Sequence, residues 1–268
     1  LTLGLYVSRA TLLPVFGEES RRAVIAREML ESNDWIVPRL QGVPRLSRPP
    51  LQNWMIALAS GLTGETDAWA IRLPSLCCML ATMGLTYWYA YRRAGVSVAV
   101  LATTAYITMH EVLEYGRSGE TEAVFTAFVA GSLLVWHAGD SAQWNRWLLW
   151  PQCYLLVAGG MLTKGVQAPL YFVGAVGIYL MTQRRWRELV SWPHACGAAA
   201  FLLCFGSWQL AFIWRLGWHE GFMIHWLNIA YRFTDKTNHS FLAHFVQFPF
   251  EVFGVMLPGS LLLLPACS

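Results

Sequence analysis

The chain has 268 residues, of which 56% are hydrophobic and 13% are charged, and its formal net charge is +3. Because soluble domains carry roughly 25% charged residues, this composition excludes an ordinary soluble domain and indicates an integral membrane protein. The small net charge does not indicate a nucleic-acid partner. The six cysteines form no CxxC or Cys/His cluster, so no thiolate metal site is predicted.

The first sixteen residues are mostly apolar and are predicted to be the outer part of a transmembrane helix that ends at Phe16. The chain opens on Leu1, and Arg9 interrupts the apolar run. No small-residue cleavage site follows, so a truncated helix is favoured over a cleaved signal peptide. The final apolar run, which ends at Ser268, leads us to expect a chain that is cut at both ends.

Residues 17–72 form the first long loop and are predicted to contain two helices. The first helix, at 19–32, carries four apolar residues on one face: Val24, Ile25, Met29 and Leu30. The second begins after Pro50, covers 51–62 and is closed by Gly64, which is the usual placement of proline and glycine. Such helices beside a membrane are expected to lie in the interface, and packing on the helix bundle is the alternative.

The rest of the chain is divided into apolar stretches of transmembrane length. A bilayer core needs roughly 17–25 mostly apolar residues per helix, and backbone groups in lipid must bond within their own segment, so each stretch is predicted to be a helix. Seven stretches contain no Asp, Glu, Lys or Arg, and they lie at 73–91, 94–110, 123–139, 147–163, 165–183, 189–214 and 252–268.

Eight helices in series would place the connecting loops alternately on the two sides of the membrane. One side would hold 17–72, 111–122, 164 and 215–251, and with them all of the sixteen carboxylates except Asp140 and Glu188. The linkers of the other side are short and basic, with Arg92, Arg93, Arg146, Arg184, Arg185 and Arg187. The positive-inside rule therefore predicts that this second side is cytoplasmic and that 17–72 lies outside.

Glu18 and Glu19 are adjacent carboxylates at the predicted exit of the first membrane helix. A carboxylate at the boundary with water can act as a general base. The alternative is that the two residues cap the helix at 19–32, because acidic side chains are favourable at a helix N-terminus. The local residues leave both interpretations open.

A longer pattern follows this pair. Three tracts occur in order at Glu18 to Met29, at Trp35 to Gly42 and at Arg48-Pro49-Pro50-Leu51. They resemble the first external loop of the lipid A aminoarabinose transferases and protein O-mannosyltransferases, which usually reads DE-x-R-Y-A-x-I-A-R-E-M, then W-x-V-P-x-L-x-G, then Lys-Pro-Pro-Leu. Further matches in the same order are Tyr115-Gly116-Arg117, Thr121-Glu122, Leu162 to Gly165, Asn228 to Phe233, His239 and Leu257-Pro258. The resemblance covers nearly the whole chain.

Four positions depart from that pattern. Glu18 and Glu122 stand where Asp is usual, which preserves the charge and moves each carboxylate by about 1 Å, a distance that matters in an active site. Arg22 stands where Tyr is usual. Arg48 stands where Lys is usual, and arginine adds bidentate recognition of phosphate to the same charge.

The resemblance implies an all-α integral membrane protein with the multi-helix bundle of GT-C glycosyltransferases and two interfacial helices in the first external loop. Residues 1–268 would form one incomplete GT-C domain, with a truncated first helix and with C-terminal helices and any soluble domain missing. The implied protein is multi-pass in the inner (plasma) membrane, and its active site faces away from the cytoplasm.

The implied activity is transfer of a sugar from a polyprenyl-phosphate donor to a lipid, glycan or protein acceptor, with inversion at the anomeric carbon. No cofactor is required, and a divalent metal is compatible with the reaction. The implied catalytic carboxylates are Glu18, Glu19 and Glu122, with Glu18 as the base. The implied substrate-binding residues are Arg21, Arg48, Arg117, Lys164 and Arg232.

Each residue also has a structural alternative. Arg117 and Glu122 could be a plain interfacial ion pair, and Lys164 could extend its amine to the membrane surface. His219, His225, His239 and His244 lack regular ligand spacing and are expected to be solvated or packing residues. For the whole chain, the alternative is a non-catalytic membrane carrier that uses the same basic pocket to hold a lipid phosphate. The two functions differ in whether Glu18 and Arg48 converge on one cavity.

Overall fold

The computed structural model describes residues 4, 6, 14–233, 241–257 and 259–260, with the side chains of all but 228–233 and 241–246. Within these ranges the chain forms ten α-helices, one 3₁₀ turn (Trp186–Val190) and a two-stranded antiparallel sheet of β1 (Arg39–Leu40) and β2 (Val43–Pro44). The helices are α1 (Gly17–Ser32), α2 (Leu51–Thr63), α3 (Ala68–Thr108), α4 (His110–Tyr115), α5 (Thr121–Ser141), α6 (Arg146–Lys164), α7 (Gln167–Thr182), α8 (Trp192–Leu216), α9 (Trp218–Phe233) and α10 (Phe241–Val255).

Both helices predicted in the first long loop are present. Helix α2 follows Pro50 and ends at Gly64, whose positive φ of 86° allows its N–H to donate to the Ser60 carbonyl at 2.8 Å. The predicted apolar face of α1 is only half right, because Val24 and Leu30 are exposed. The buried face runs through Glu19, Arg22, Ile25, Ala26 and Met29 at helical spacing, so two charged residues lie within the apolar stripe.

Helices α1 and α2 pack on each other and on the start of α3. Ala26 of α1, Ile56 and Ala57 of α2 and Ile71 of α3 form one buried cluster. This contact agrees with the alternative interpretation, in which the two helices pack on the helix bundle. Their placement in a membrane interface stays a prediction.

Helix α3 is two helices joined at Gly95, which has a φ of 82° that side chains rarely adopt. Met79 and Tyr106 line the same cavity although 27 residues separate them. A straight helix would hold them about 40 Å apart, at 1.5 Å per residue. The two halves therefore fold back on each other, as the stretches 73–91 and 94–110 predict.

Three of the described helices are long and apolar enough to cross a membrane: α3, α5 and α8. Helix α7 is also apolar but has only 16 residues. Helix α6 has 19 residues, carries a basic residue at each end and is largely buried among its neighbours. The predicted total of eight spans stays a prediction, because most of residues 1–16 and much of 252–268 lie outside the described residues.

Small residues bring the helices around α6 together. A side chain at Gly197 of α8 would meet the Tyr154 ring at 2.6 Å, and one at Gly160 would meet Ala168 at 2.7 Å. Trp150, Tyr154 and Phe172 fill the adjoining core. Close approach at small residues is the usual means of helix association in membranes, where no hydrophobic force acts between helices. The bundle so formed fixes the helix ends that carry the site.

Candidate active site

The predicted site residues whose side chains the structure describes gather at one end of the bundle, around the loop that precedes α5. Gly119 in this loop donates its N–H to the Glu19 carboxylate at 2.9 Å, and its carbonyl accepts from the Gln52 amide at 3.2 Å. A side chain at Gly119 would lie 3.1 Å from the Ile71 carbonyl oxygen and 3.2 Å from Glu19 Cβ. The loop therefore holds α1, α2 and the start of α5 in fixed relation.

Glu19, one of the three predicted catalytic carboxylates, is occupied by structural contacts. Its oxygens accept from Arg72 Nη2 at 2.6 Å and from Arg72 Nε at 3.1 Å, and both side chains are buried. It also accepts from the Phe16 N–H at 3.4 Å, so the capping interpretation holds for this residue. Arg72 is a partner that the sequence did not suggest, although a charged residue at the start of an apolar span is a general signal of an internal partner.

Glu18 lies on the exposed side of α1 and forms an ion pair with Arg21, one turn along the helix. Both side chains are about half exposed, at 46% and 49%. Such a pair adds little stability and leaves the carboxylate open to solvent. Among the predicted catalytic carboxylates, Glu18 is thus the most exposed.

Glu122 belongs to a chain of polar contacts that joins three predicted site residues. Its carboxylate lies 2.6 Å from Lys164 Nζ and accepts from the Thr121 hydroxyl at 3.1 Å. Thr121 accepts in turn from Arg48 Nη1 at 3.1 Å. Lys164 is mostly buried and lies 5.6 Å from the centre of the Phe125 ring. Lys164, rather than Arg117, is therefore the ion-pair partner of Glu122 in the described part of the chain.

Two residues outside the predicted set complete this end of the bundle. Arg22 is buried, and its pKa is lowered to about 10 by burial first and by Arg48 second, while Glu18 and Glu122 act in the opposite direction. The pKa of Glu120 is raised by burial and by Glu122 and Glu18, and Arg48 acts against this shift. Glu18, Arg48 and Glu122 therefore act on the same two groups.

Two cavities open beside these residues and share Tyr115 in their walls. One has a volume of about 310 Å³ and is lined by Arg117, Glu120 and the Glu19–Arg72 pair among others. The other has a volume of about 170 Å³ and includes Glu122 in its lining. The side chain of Arg232, the remaining predicted binding residue, lies outside the described residues, as do His239 and Pro258.

Metal ligation finds no support in the described ranges, where no three His, Cys, Asp or Glu residues lie close enough together to hold an ion. His225 donates its Nε2–H to the Gln209 amide oxygen at 2.9 Å and packs on Phe205, and His219 is exposed. The side chains of His239 and His244 are outside the described residues.

Comparison with known proteins identifies the family of the chain. The family model for dolichyl-phosphate-mannose-protein mannosyltransferases matches residues 47–209, which is more than half of the chain. The chain belongs to this mannosyltransferase family. The matched range includes Arg48, the loop at 116–121, Glu122 and Lys164, and it begins after Glu18.

Two curated relatives match a larger share of the chain than the family model does. An undecaprenyl phosphate-alpha-4-amino-4-deoxy-L-arabinose arabinosyl transferase of Pseudomonas aeruginosa is 32% identical over 217 residues, which are 76% of this chain and 38% of that protein. The protein of the same description from Edwardsiella ictaluri is 28% identical over 258 residues, 91% of this chain and 45% of its own length. The chain spans less than half the length of these relatives.

A solved structure has the same fold. The crystal structure of ArnT from Cupriavidus metallidurans bound to undecaprenyl phosphate superposes with a TM-score of 0.84, covering 97% of this chain and 48% of that one at 19% identity. The apo structure of the same protein gives a TM-score of 0.77. The predicted GT-C membrane bundle is thereby confirmed.

Proposed function

We propose that the full-length protein is a membrane glycosyltransferase that moves a sugar from a polyprenyl-phosphate donor to a lipid acceptor. The observation that carries the proposal is the linked group of Arg48, Thr121, Glu122 and Lys164. The hydrogen bond from Gly119 to Glu19 holds the first turn of α1 against the loop before Thr121, and the half-exposed carboxylate of Glu18 lies on that turn. The names of the bacterial relatives, which include undecaprenyl phosphate and an amino sugar, support this class of donor.

Glu18 is the proposed general base. It takes the proton of the acceptor hydroxyl while that oxygen attacks the anomeric carbon, and the bond from this carbon to the phosphate oxygen breaks with inversion. The transition state resembles an oxocarbenium ion, as in other glycosyl transfers. Glu19 has a different role, because its buried pair with Arg72 fixes the helix that presents Glu18.

The basic residues around Glu18 are the proposed ligands of the donor phosphate. Negative charge grows on the phosphate as the sugar leaves, and positioned cations at a developing anion are usually the largest single catalytic contribution. Arg48 is half-buried and uses Nη1 on Thr121, so its remaining N–H groups can face the phosphate. Arg21, Arg117, Lys164 and Arg232 are the further proposed phosphate or substrate ligands.

Sugar transfer from radiolabelled polyprenyl-phosphate sugars by membranes that contain the full-length protein tests the proposal. Glu18→Gln should reduce the rate by about 10²–10⁴-fold, the usual contribution of a general base, with donor binding retained. Glu18→Asp should be tolerated. The matched control is Glu31→Gln on the same helix, because Glu31 is also exposed and ion-paired, with Arg27.

Two results would reject parts of the proposal. Transfer by Glu18→Gln at the wild-type rate would remove Glu18 as the base. Donor binding without transfer to any acceptor by the wild-type protein would favour the non-catalytic carrier.

The proposed orientation places the site on the extracytoplasmic side of the inner membrane, because the basic linkers of the opposite side fit the positive-inside rule. Single cysteines at Asp34 and Trp186, in a background without the six native cysteines, test it in intact cells. A membrane-impermeant thiol reagent should label position 34 and leave position 186 unlabelled. Labelling of position 186 from outside would reverse the orientation.

A further inference from the structure

The end of the bundle opposite to the candidate active site has a cavity of its own, the distal cavity. It has a volume of about 180 Å³ and lies between the first half of α3, the end of α5 and the loop that precedes α6. Arg92 and Arg93 line it from α3. Ser141, the last residue of α5, lines the facing side, and Trp144 lines it from the loop. None of the described lining residues is acidic, so the cavity presents two positive charges and no negative one.

Neither arginine is neutralised by a carboxylate within the described residues. Arg93 donates from Nη2 to His137 Nδ1 at 2.9 Å and to the Ser141 hydroxyl. Because a guanidinium can only donate, His137 Nδ1 is the unprotonated nitrogen of a neutral ring, and both acceptors are uncharged. Arg92 lies 5.9 Å from the centre of the Trp88 ring and has no hydrogen bond or ion pair in the described part of the chain. Both guanidinium groups therefore keep N–H donors for an anion.

The carboxylates at this end of the bundle are paired with other arginines. Asp140 directly precedes Ser141, but its buried side chain lies 2.7 Å from Arg146 and 2.6 Å from Arg185. Glu188 also pairs with Arg185, at 2.6 Å. The positive charge of the distal cavity is thus left for a ligand from outside the chain.

Aromatic side chains place the distal cavity at the level of lipid headgroups. The rings of Trp88 and Trp144 are 6.4 Å apart, and Trp147 is exposed beside them in sequence. Tryptophan is enriched where the membrane meets water. Trp144 also lines a second cavity of about 450 Å³ with the first two turns of α6, where Leu148 is 70% exposed. A molecule with an anionic head and an apolar body fits this arrangement.

We propose that the distal cavity binds the phosphate of an anionic glycerophospholipid from the surrounding membrane, with Arg92 and Arg93 as its ligands. The planar guanidinium matches two phosphate oxygens at once, and basic pockets between transmembrane helices are a known type of headgroup site. The glycerol and the first acyl carbons lie along Trp144 and Leu148. A zwitterionic lipid is disfavoured, because its own cationic group meets two positive charges. The proposal is independent of sugar transfer, since Thr121 and Ser141 mark opposite ends of α5.

Lipid binding to the purified full-length protein in detergent tests this proposal, with dioleoylphosphatidylglycerol and dioleoylphosphatidylcholine as probes and native mass spectrometry to count bound lipids. The wild type should prefer phosphatidylglycerol. Arg92→Gln should weaken its binding by about 10-fold, the effect of losing a charge-assisted hydrogen bond, and leave phosphatidylcholine binding unchanged. Arg92→Lys should restore part of the affinity, because the charge is kept. Arg187→Gln is the matched control and should change neither, since Arg187 is an exposed arginine that stacks on Trp186 outside the cavity lining.

Thermal unfolding separates lipid binding from a structural role. Arg92 is the informative position, because Arg93 also holds α5 through its hydrogen bonds. Without lipid, Arg92→Gln should melt at the wild-type temperature, and phosphatidylglycerol should raise the melting temperature of the wild type more than that of the variant.

Three results would overturn the proposal. Equal binding of the two lipids by the wild type would mean that only ordinary surrounding lipid is present. Unchanged binding of phosphatidylglycerol by Arg92→Gln would remove Arg92 as a ligand. Inorganic phosphate that binds as tightly as the lipid would identify a site for a free anion instead.

Discussion

The two ends of the bundle each carry a cluster of charged side chains, and the clusters are built differently. The distal cluster consists of Asp140, Arg146, Arg185 and Glu188, and it lies at the end of α5 opposite to the site. Asp140 is 3% exposed and lies 2.6 Å from Arg185 and 2.7 Å from Arg146, while Arg185 also reaches Glu188 at 2.6 Å. Two carboxylates and two guanidinium groups therefore neutralise one another.

The site cluster has the opposite character. It consists of Glu18, Arg21, Arg22, Arg48, Glu122 and Lys164. Its two carboxylates are each paired with one cation, and two arginines remain. About 20 residues of α5 separate the clusters, which is close to 30 Å. A balanced ionic cluster holds helices together, whereas the excess of cations at the site end is what the proposed binding of a phosphate requires.

Loss of Asp140 from the distal cluster should change stability more than any other substitution described here. Asp140→Asn should lower the free energy of unfolding by about 1.5–3 kcal/mol, because Arg185 and Arg146 lose their shared charged hydrogen-bond partner and keep only Glu188 and solvent. Unfolding in detergent measures this change, and transfer per folded molecule should stay near the wild-type value. A loss of transfer without a loss of stability would show that the distal cluster is not merely structural.

Removal of a cation from the site cluster should have the reverse result. Arg48→Ala should weaken donor use by about 10- to 100-fold, since one charge-assisted contact to phosphate is lost, while the unfolding transition changes little. Arg48→Lys should retain much of the activity because the charge is kept. Normal turnover by Arg48→Ala at low donor concentration would argue against phosphate binding by this residue.

The ion pair of Glu122 and Lys164 could stabilise the fold, as the distal cluster does, or serve the substrate. A double-mutant cycle distinguishes the two roles. Glu122→Gln, Lys164→Met and the double variant should show a coupling of about 1 kcal/mol in unfolding, as expected for residues in direct contact. The same cycle measured on the rate of sugar transfer gives the coupling energy of the two residues in catalysis. Absence of coupling in unfolding would assign both residues to the ligand.

The smallest expected effect concerns Glu120 and pH. Its carboxyl pKa is raised in the folded protein, first by burial, so the folded state holds the proton to higher pH than the unfolded chain does. Stability is therefore lost as the pH rises above the unfolded value near 4.5 toward the folded pKa. Glu120→Gln should melt higher than the wild type at pH 7 and close to it at pH 4, and an equal difference at both pH values would contradict this assignment.

Much of the fold could be predicted from the sequence because its signals are local or are carried by long motifs. The apolar stretches locate the bundle helices, Pro50 and Gly64 bound α2, and the tract from Glu18 to Leu51 indicates the family. These signals depend on composition and on neighbours within a few residues.

The partners within the site could not be predicted in the same way. Glu19 and Arg72 are 53 residues apart, and Glu122 and Lys164 are 42 apart, so their pairing depends on how the helices pack. Arg22 looks like a solvent-facing residue because charge normally marks the outer face of a helix. Tertiary packing instead turns that face inward.

Gly119 connects three helices at the site end of the bundle. One residue without a side chain is hydrogen bonded to α1 through its N–H and to α2 through its carbonyl, and it lies two positions before the start of α5. Rotation of α1 must therefore carry the first turn of α5 with it, and with that turn the hydroxyl of Thr121 that holds Arg48. The helix that carries Glu18, the proposed base, is therefore joined through Gly119 to Thr121 and so to Arg48, the proposed phosphate ligand.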